Sequence, residues 1–293
     1  MARAVTDLAA SLRRRLLNLA REKGRPFDVV LVAFGLERLV YRLSISAERN
    51  KFVLKGGMLV THWVGDPGRF TRDADFLCFG SWDDGQLKSV FADILAIDAA
   101  DALEFDVGAI RVGDIREGQR YGGKRLKTVA LLGTTRIPIT VDIGFGDVLS
   151  HPQYEAEFGS LLDLETAKVR AYSPECVIAE KLQAVVALGL VNGRMKDLYD
   201  LWAIPRAVAI DADGLVEALR ATFERRQTEI PSQRPPGLSR RFADDPKKVV
   251  QWKAFAEATD LRDLDLGDLV DRIWELIRPI CARALARDGD SQR

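Results

Sequence analysis

The stretch "LKGGMLVTHWVGDPGRFTRDADF", Leu54 to Phe76, places the adjacent glycines Gly56 and Gly57 sixteen residues ahead of Asp73, with Asp75 one alanine further on. The run Phe52–Val53–Leu54 just before the glycines is β-branched and aromatic and predicts a strand. "MLVTHWV" predicts a helix of about two turns, and "DADFLCF" at 73–79 alternates as a second strand. Residues two apart on a strand share a face at a spacing of about 6.6 Å, so Asp73, Asp75 and Leu77 are expected on one side and Ala74, Phe76 and Cys78 on the other. Two carboxylates so placed repel each other and are most easily satisfied by a hard divalent cation such as Mg²⁺. A glycine pair opening a helix offers free N–H groups and close backbone approach to a phosphate. Taken singly, an Asp-x-Asp is more often a solvated strand face and a Gly-Gly an ordinary turn.

A third carboxylate changes that balance. In "ITVDIGF", Ile139, Val141 and Ile143 form an apolar face and Thr140, Asp142 and Gly144 the opposite one, so Asp142 can join Asp73 and Asp75 from a neighbouring strand. Three carboxylates on adjacent strands beside a glycine turn form a layout for two-metal phosphoryl transfer.

Outward from this centre, apolar residues at helical spacing predict helices over 5–22 and 27–44, and another after residue 81 with Ser81 as its cap. Between 102 and 147 the pattern is extended and glycine-punctuated, read as antiparallel strands joined to the first one. Strands and helices do not alternate regularly, which disfavours a doubly wound parallel sheet and predicts an α+β fold with helices flanking a mixed or antiparallel sheet. After Pro152 the sequence turns helical. "SPECVIAEKLQAVVALGL" has Ser173 as cap and Pro174 at the first helical position, "RMKDLYDLWAI" starts another helix, and two more follow. The "IPSQRPPGLSRRFADDP" segment reads as a loop inside that half. The expected division is residues 1–150, the N-terminal helices with the α+β domain, and 151–293, a helical domain completing an active-site cleft.

Composition excludes several chemistries. Lys plus Arg equals Asp plus Glu at 43 each, so no net field announces a nucleic-acid or membrane partner. With only His62 and His151, a histidine metal site or Ser-His-Asp triad has little material, and His62 beside Trp63 is expected to pack. Three widely spaced cysteines give no zinc spacing and suit a reducing compartment. No apolar stretch is long enough for a membrane span or a secretory signal, so the expected location is the cytoplasm.

"KGGM", "RFTRDADF", "VDI", "PECVIAEKLQAV" and "GRMKDLYDL" occur in that order, and together they resemble the nucleotidyltransferase AbiEii/AbiGii toxin family, a branch of the DNA polymerase β-like nucleotidyltransferase superfamily. The resemblance covers roughly residues 25–260 and implies the polymerase β-like fold with a helical C-terminal domain. It further implies transfer of a nucleoside monophosphate from a nucleoside triphosphate to an acceptor hydroxyl. Asp73, Asp75 and Asp142 would hold Mg²⁺, with Mn²⁺ the alternative ion, and Gly56 and Gly57 would cradle phosphate. Lys181 matches the family's phosphate-contacting lysine and Asp197 its downstream aspartate, with Asp200 preferred as structural. Lys55, Arg69 and Thr71 flank the first motifs as further nucleotide-binding candidates. The family also implies the toxin of a type IV toxin–antitoxin pair, with RNA, plausibly tRNA, as acceptor and a separately encoded antitoxin as partner.

Basic residues gather in two places, Arg120, Lys124, Arg125 and Lys127 near Gly122–Gly123, and Arg234, Arg240, Arg241, Lys247 and Lys248 around the proline-rich loop. Each reads as an RNA-backbone track or as solvated surface. Two rivals remain open, a small-molecule nucleotidyltransferase of the antibiotic-modifying kind and a non-catalytic binding module that keeps the fold.

Overall fold

In a computed structural model the described residues are 2–65, 69–115, 122–146, 154–259, 261 and 263–286. The chain divides into two units, one built on Met1–His62, Phe70–Val148 and Gln153–Ala171, the other on Trp63–Arg69, Leu149–Pro152 and Tyr172–Arg293.

The first unit opens with α1 (Ala2–Glu22) and α2 (Phe27–Ile45), followed by β1 (Phe52–Lys55), α3 (Gly57–Val64), β2 (Ala74–Cys78) and α4 (Asp84–Leu95). Then come β3 (Leu103–Phe105), β4 (Arg111–Asp114), β5 (Gly123–Leu132), β6 (Thr135–Phe145), β7 (Glu155–Phe158) and β8 (Ala167–Arg170). Strand order in the main sheet is β1-β2-β6-β5-β3, with β4 also paired to β5. The extended stretches expected between 102 and 147 are present, but the sheet is mixed. β2 and β6 run parallel while the other pairs are antiparallel. That one parallel pairing sets Asp75 directly beside Asp142.

α2 packs on β6, with α1 and α4 against α2. α2 and β6 are close at Gly35, where an added Cβ would meet Ile139 Cδ1 at 2.7 Å. α2 also carries Arg38 and Arg42, both buried, into an ionic knot. Asp101 accepts from Arg38 Nε at 2.7 Å and from Arg42 Nη1 and Nη2 at 2.7 and 2.8 Å. α4 is capped by Asp83, whose carboxylate takes the Gln86 N–H while the Gln86 side chain takes the Asp83 N–H, so the expected cap at Ser81 is corrected by two residues. The hairpin β7–β8 lies in a stretch expected to belong to a helical half. Its alternating pattern, with Ala156, Phe158, Ala167 and Val169 buried, is too short to stand out by period alone.

The second unit contains α5 (Pro174–Leu188), α6 (Met195–Ala207), α7 (Ala212–Arg225), the short α8 (Arg240–Ala243), α9 (Pro246–Ala258) and α10 (Leu266–Ala286). Ser173 accepts the Cys176 N–H with Pro174 at the first helical position, as expected. α5 packs against α6 and α7, and α10 against α6 and α7. Among the described residues, no helix is long and apolar enough to cross a membrane.

Candidate active site

The site in the first unit begins at the turn between β1 and α3. Gly56 has φ +71°, and a Cβ there would lie 2.1 Å from Asp75 Oδ2. Only glycine meets both conditions, the left-handed backbone and the carboxylate occupying the side-chain position. The next N–H, from Gly57 at the start of α3, donates to the Asp75 carboxylate. The glycine pair therefore grips Asp75 directly, and the helix N-terminus favours the negative charge held there.

Register across the sheet lines up four charged residues. Lys55 on β1 pairs with Asp75 on β2, Asp75 with Asp142 on β6, and Asp142 with Arg125 on β5. Two carboxylates thus lie between two cations, on strands spaced about 4.8 Å apart. Asp73 stands one residue ahead of β2 and accepts a short hydrogen bond from the Thr71 hydroxyl. Burial raises the Asp75 carboxyl to about 6, the Asp73 and Asp142 charges push it the same way, and Lys55 and the Gly57 N–H pull it down. The Lys55 ammonium also reaches toward Gly144, where an added Cβ would lie 3.9 Å from its Nζ.

Asp142 is held differently. Arg125 donates from Nε and Nη2 to its two carboxylate oxygens, both at 2.7 Å. This pair sits 15% exposed on the aspartate and 36% on the arginine, half-sheltered rather than buried.

A second cluster lies within the second unit. Lys181 Nζ contacts Asp197 Oδ1 and Asp200 Oδ2, both at 2.7 Å. Arg69 donates from Nε and Nη2 to Asp200 at 2.6 and 2.7 Å, and Arg194 Nε lies 2.8 Å from Asp197 Oδ2. Asp200 is fully buried. Burial works against the Lys181 ammonium, but Asp200 and Asp197 more than offset it and raise its pKa above the ordinary lysine value. Burial likewise opposes the Asp200 anion, and Lys181 and Arg69 overcome that to lower its pKa. Among the described contacts, Lys181, Arg69 and Arg194 converge on these two carboxylates.

Of the predicted residues, Lys55, Gly56, Gly57, Thr71, Asp73, Asp75 and Asp142 all lie in the first unit. Arg69, Lys181 and Asp197 lie in the second. Arg69, expected as a phosphate contact, is given to Asp200 with two of its nitrogens. His62 stacks on Phe158 at 4.5 Å between ring centroids, and burial lowers its pKa, as a packing residue should. His151 and Arg120 lie outside the described residues.

A divalent cation fits part of this donor set. Asp73 and Asp75 supply hard oxygens whose mutual repulsion a cation would relieve. Asp142 differs in that Arg125 engages both of its oxygens and offsets its charge, so a guanidinium would compete with a metal there. Among the described residues, no group of three or more His, Cys, Asp and Glu side chains is gathered to hold a metal.

Sequence reasoning missed the role of Arg125, placing it in a basic surface patch. The signal was available. Gly133 at φ +60° opens a two-residue turn that closes β5 on β6 at Leu132 and Thr135, and counting back along that hairpin sets Arg125 against Asp142. Much of the predicted basic surface is likewise consumed internally. Lys124 Nζ sits between Asp84 and Asp114 at 2.7 and 2.8 Å, Arg234 and Arg240 share Asp271, and buried Lys248 donates to the Asn192 carbonyl at 2.7 Å. Lys127, Arg241 and Lys247 are exposed.

Compared with known proteins, residues 38–276 match the family model described as nucleotidyl transferase AbiEii toxin, type IV TA system. Among solved structures, JHP933 from Helicobacter pylori is similar at 16% identity with a TM-score of 0.49, over 87% of this chain and 93% of that one. A second H. pylori protein, provisionally described as a nucleotidyltransferase, is similar at 15% identity and TM-score 0.46, over 89% of this chain and 96% of that one. An antigenic nucleotidyltransferase-like protein from Paracoccidioides brasiliensis is similar at 15% identity and TM-score 0.39, over 67% and 88%. No curated protein sequence matches.

Proposed function

Because the chain belongs to the AbiEii nucleotidyltransferase toxin family and is a nucleotidyltransferase of α+β fold, we propose that it moves a nucleoside monophosphate from a nucleoside triphosphate to a hydroxyl of RNA, with tRNA the preferred acceptor class. The observation that carries the reading is the packing of the Gly56–Gly57 turn against Asp75, with Asp142 in register beside it. Asp73 and Asp75 would hold Mg²⁺, or Mn²⁺ in its place. When bound, that ion offsets the negative charge of the phosphates and lowers the pKa of an oxygen it contacts. Thr71 fixes the rotamer of Asp73 through its hydroxyl, and the Gly57 N–H fixes Asp75, so the two carboxylates are oriented before any ligand arrives. Lys55 lies alongside Asp75 and supplies positive charge where phosphates would gather. Lys181 is the proposed triphosphate anchor, oriented by Asp197 and Asp200. A separately encoded antitoxin is the proposed opposing partner.

One observation favours a small-hydroxyl acceptor instead. Lys124, Arg125, Arg234, Arg240 and Lys248 are all paired within the chain, which leaves fewer cations for an RNA backbone. A single assay separates the readings: each labelled nucleoside triphosphate is incubated with the protein, Mg²⁺ and total RNA. The proposal expects label in RNA, abolished by chelator and by Asp73→Ala. Label found only in small hydroxyl compounds transfers the case to the alternative, and absence of any turnover makes the fold a binding module.

A further inference from the structure

The third carboxylate of the predicted site is already spoken for, by a residue that the sheet register sets opposite it. Arg125 and Asp142 face each other on β5 and β6, and that antiparallel ladder runs without a break from Gly123↔Gly144 to Leu132↔Thr135. The register fixes Arg125 and Asp142 as neighbours, so the guanidinium can leave the carboxylate only by changing its own rotamer. The contact is a fork, with two parallel N–H···O bonds at 2.7 Å that occupy both carboxylate oxygens. Asp75 and Asp73, by contrast, accept hydrogen bonds from a backbone N–H and a hydroxyl, and the Lys55 charge offsets Asp75 without the two-point fork that Arg125 makes to Asp142.

We infer that Arg125 is a positioning residue that serves as the resident counter-cation of Asp142, withholding that carboxylate from the metal centre of the nucleotide-free protein. The inference rests on the proposed role of Asp73 and Asp75 as metal-holding residues. Its physical content is a competition. A guanidinium and a divalent cation both seek the Asp142 oxygens, and the guanidinium is tethered in place at an effective concentration that a dissolved ion does not match. The nucleotide-free protein then presents two available carboxylates rather than three. With Arg125 removed, Asp142 becomes an unpaired anion beside Asp75, and the site gains both a ligand and an uncompensated negative charge.

The test is Mn²⁺ binding to the full chain without nucleotide, followed by loss of the free-ion electron paramagnetic resonance signal. Four proteins are compared: wild type, Arg125→Gln, Asp142→Asn and the double variant. For a half-sheltered charged pair the expected gain in Arg125→Gln is about tenfold in affinity. Asp142→Asn leaves the Arg125 charge unpaired beside the site and should bind Mn²⁺ more weakly than wild type, and the double variant, which removes that charge as well, should return to within about twofold of wild type. Arg125→Lys, a charge without the fork, should fall between wild type and Arg125→Gln.

Two variants overturn the inference independently. The double variant lacks both the carboxylate and the freed cation, and a tenfold or greater loss of Mn²⁺ in it would make Asp142 a working ligand despite Arg125. Equal affinity in Arg125→Gln and wild type, with circular dichroism showing both folded, overturns it as well. If that equal binding disappears in Asp75→Asn, the metal role of Asp73 and Asp75 survives. If neither wild type nor Arg125→Gln binds Mn²⁺, that role falls together with the inference.

Discussion

Replacing Asp75 by asparagine should stabilise the protein at neutral pH while abolishing nucleotide transfer. The carboxyl is raised from 3.8 to about 6 by burial and by the neighbouring Asp73 and Asp142 charges. Each pH unit of that difference is worth about 1.4 kcal/mol, so the ionised form costs the folded state up to about 3 kcal/mol relative to the unfolded chain. Asparagine removes the charge and keeps an oxygen for the Gly57 N–H, although a neutral acceptor forfeits about 1 kcal/mol of a charge-assisted bond. The expected net gain is about 1–2 kcal/mol, or about 2–3 °C in the midpoint of thermal unfolding for a chain of this size.

The sign with pH follows from the raised value. Between 3.8 and about 6 the folded state holds a proton that the unfolded state has lost, so wild-type stability falls as the pH rises through this window and levels off above it. Groups that titrate alike in both proteins cancel in the difference. Thermal unfolding of wild type and Asp75→Asn, measured in chelator from pH 4 to 8, should give midpoints that coincide or slightly favour the wild type at pH 4. They should separate toward pH 6, with the variant higher at pH 8. A variant less stable than wild type at pH 8, or an offset that does not change with pH, would refute the reasoning. Saturating Mn²⁺ at pH 8 should close the gap by stabilising only the wild type.

Gly56→Ala must place a methyl where Asp75 Oδ2 lies and hold alanine at φ +71°. A loss of about 2 kcal/mol or more is expected by thermal unfolding, shrinking to about 1 kcal/mol in an Asp75→Ala background, where only the backbone strain remains. Asp101→Asn strips the shared anion from buried Arg38 and Arg42, and urea unfolding should show a loss of roughly 3 kcal/mol or more with Mn²⁺ binding unchanged. Burial opposes the Asp101 charge, and Arg42 and Arg38 hold its pKa below the usual carboxylate value. Its stabilisation should therefore be present at neutral pH and be lost as the pH falls through that depressed value. Lys181→Met should lower nucleotide transfer by about a hundredfold if the lysine anchors phosphates. Unchanged transfer in a folded variant would reduce Lys181 to the tie between Asp197 and Asp200.

The spacing from Gly56 to Asp75 was legible because every feature in it is local. A left-handed turn needs glycine, a short helix needs its apolar face, and alternation on β2 fixes which way Asp75 points. The mixed character of the sheet was only half legible. Nothing in the composition of "DADFLCF" or "ITVDIGF" distinguishes a parallel neighbour from an antiparallel one, because both strands are buried in the sheet and direction is set by the connection between them. The β7–β8 hairpin escaped notice for the opposite reason. Four-residue strands carry too few alternations to compete with the helical pattern that follows.

Charged residues were the least legible, since a sequence records a cation but not the anion it will meet. Arg69 reads as a loop residue near Asp73, yet its guanidinium is paired with Asp200, 131 residues away. Lys124 and Arg125 read as neighbours in one basic patch, and alternation on β5 sends them to opposite faces, one to Asp84 and Asp114, the other to Asp142. Asp200 reads as the lesser of two helix aspartates, but its fully buried carboxylate takes both Arg69 and Lys181, whereas Asp197 takes Lys181 and the more exposed Arg194. Burial raises the value of each such pairing, because a partner lost there leaves a charge that water cannot reach. A site assembled from acidic residues therefore cannot be read by counting carboxylates. Asp75 keeps a raised carboxyl pKa even with Lys55 beside it, whereas Asp142 has both of its oxygens bonded to Arg125.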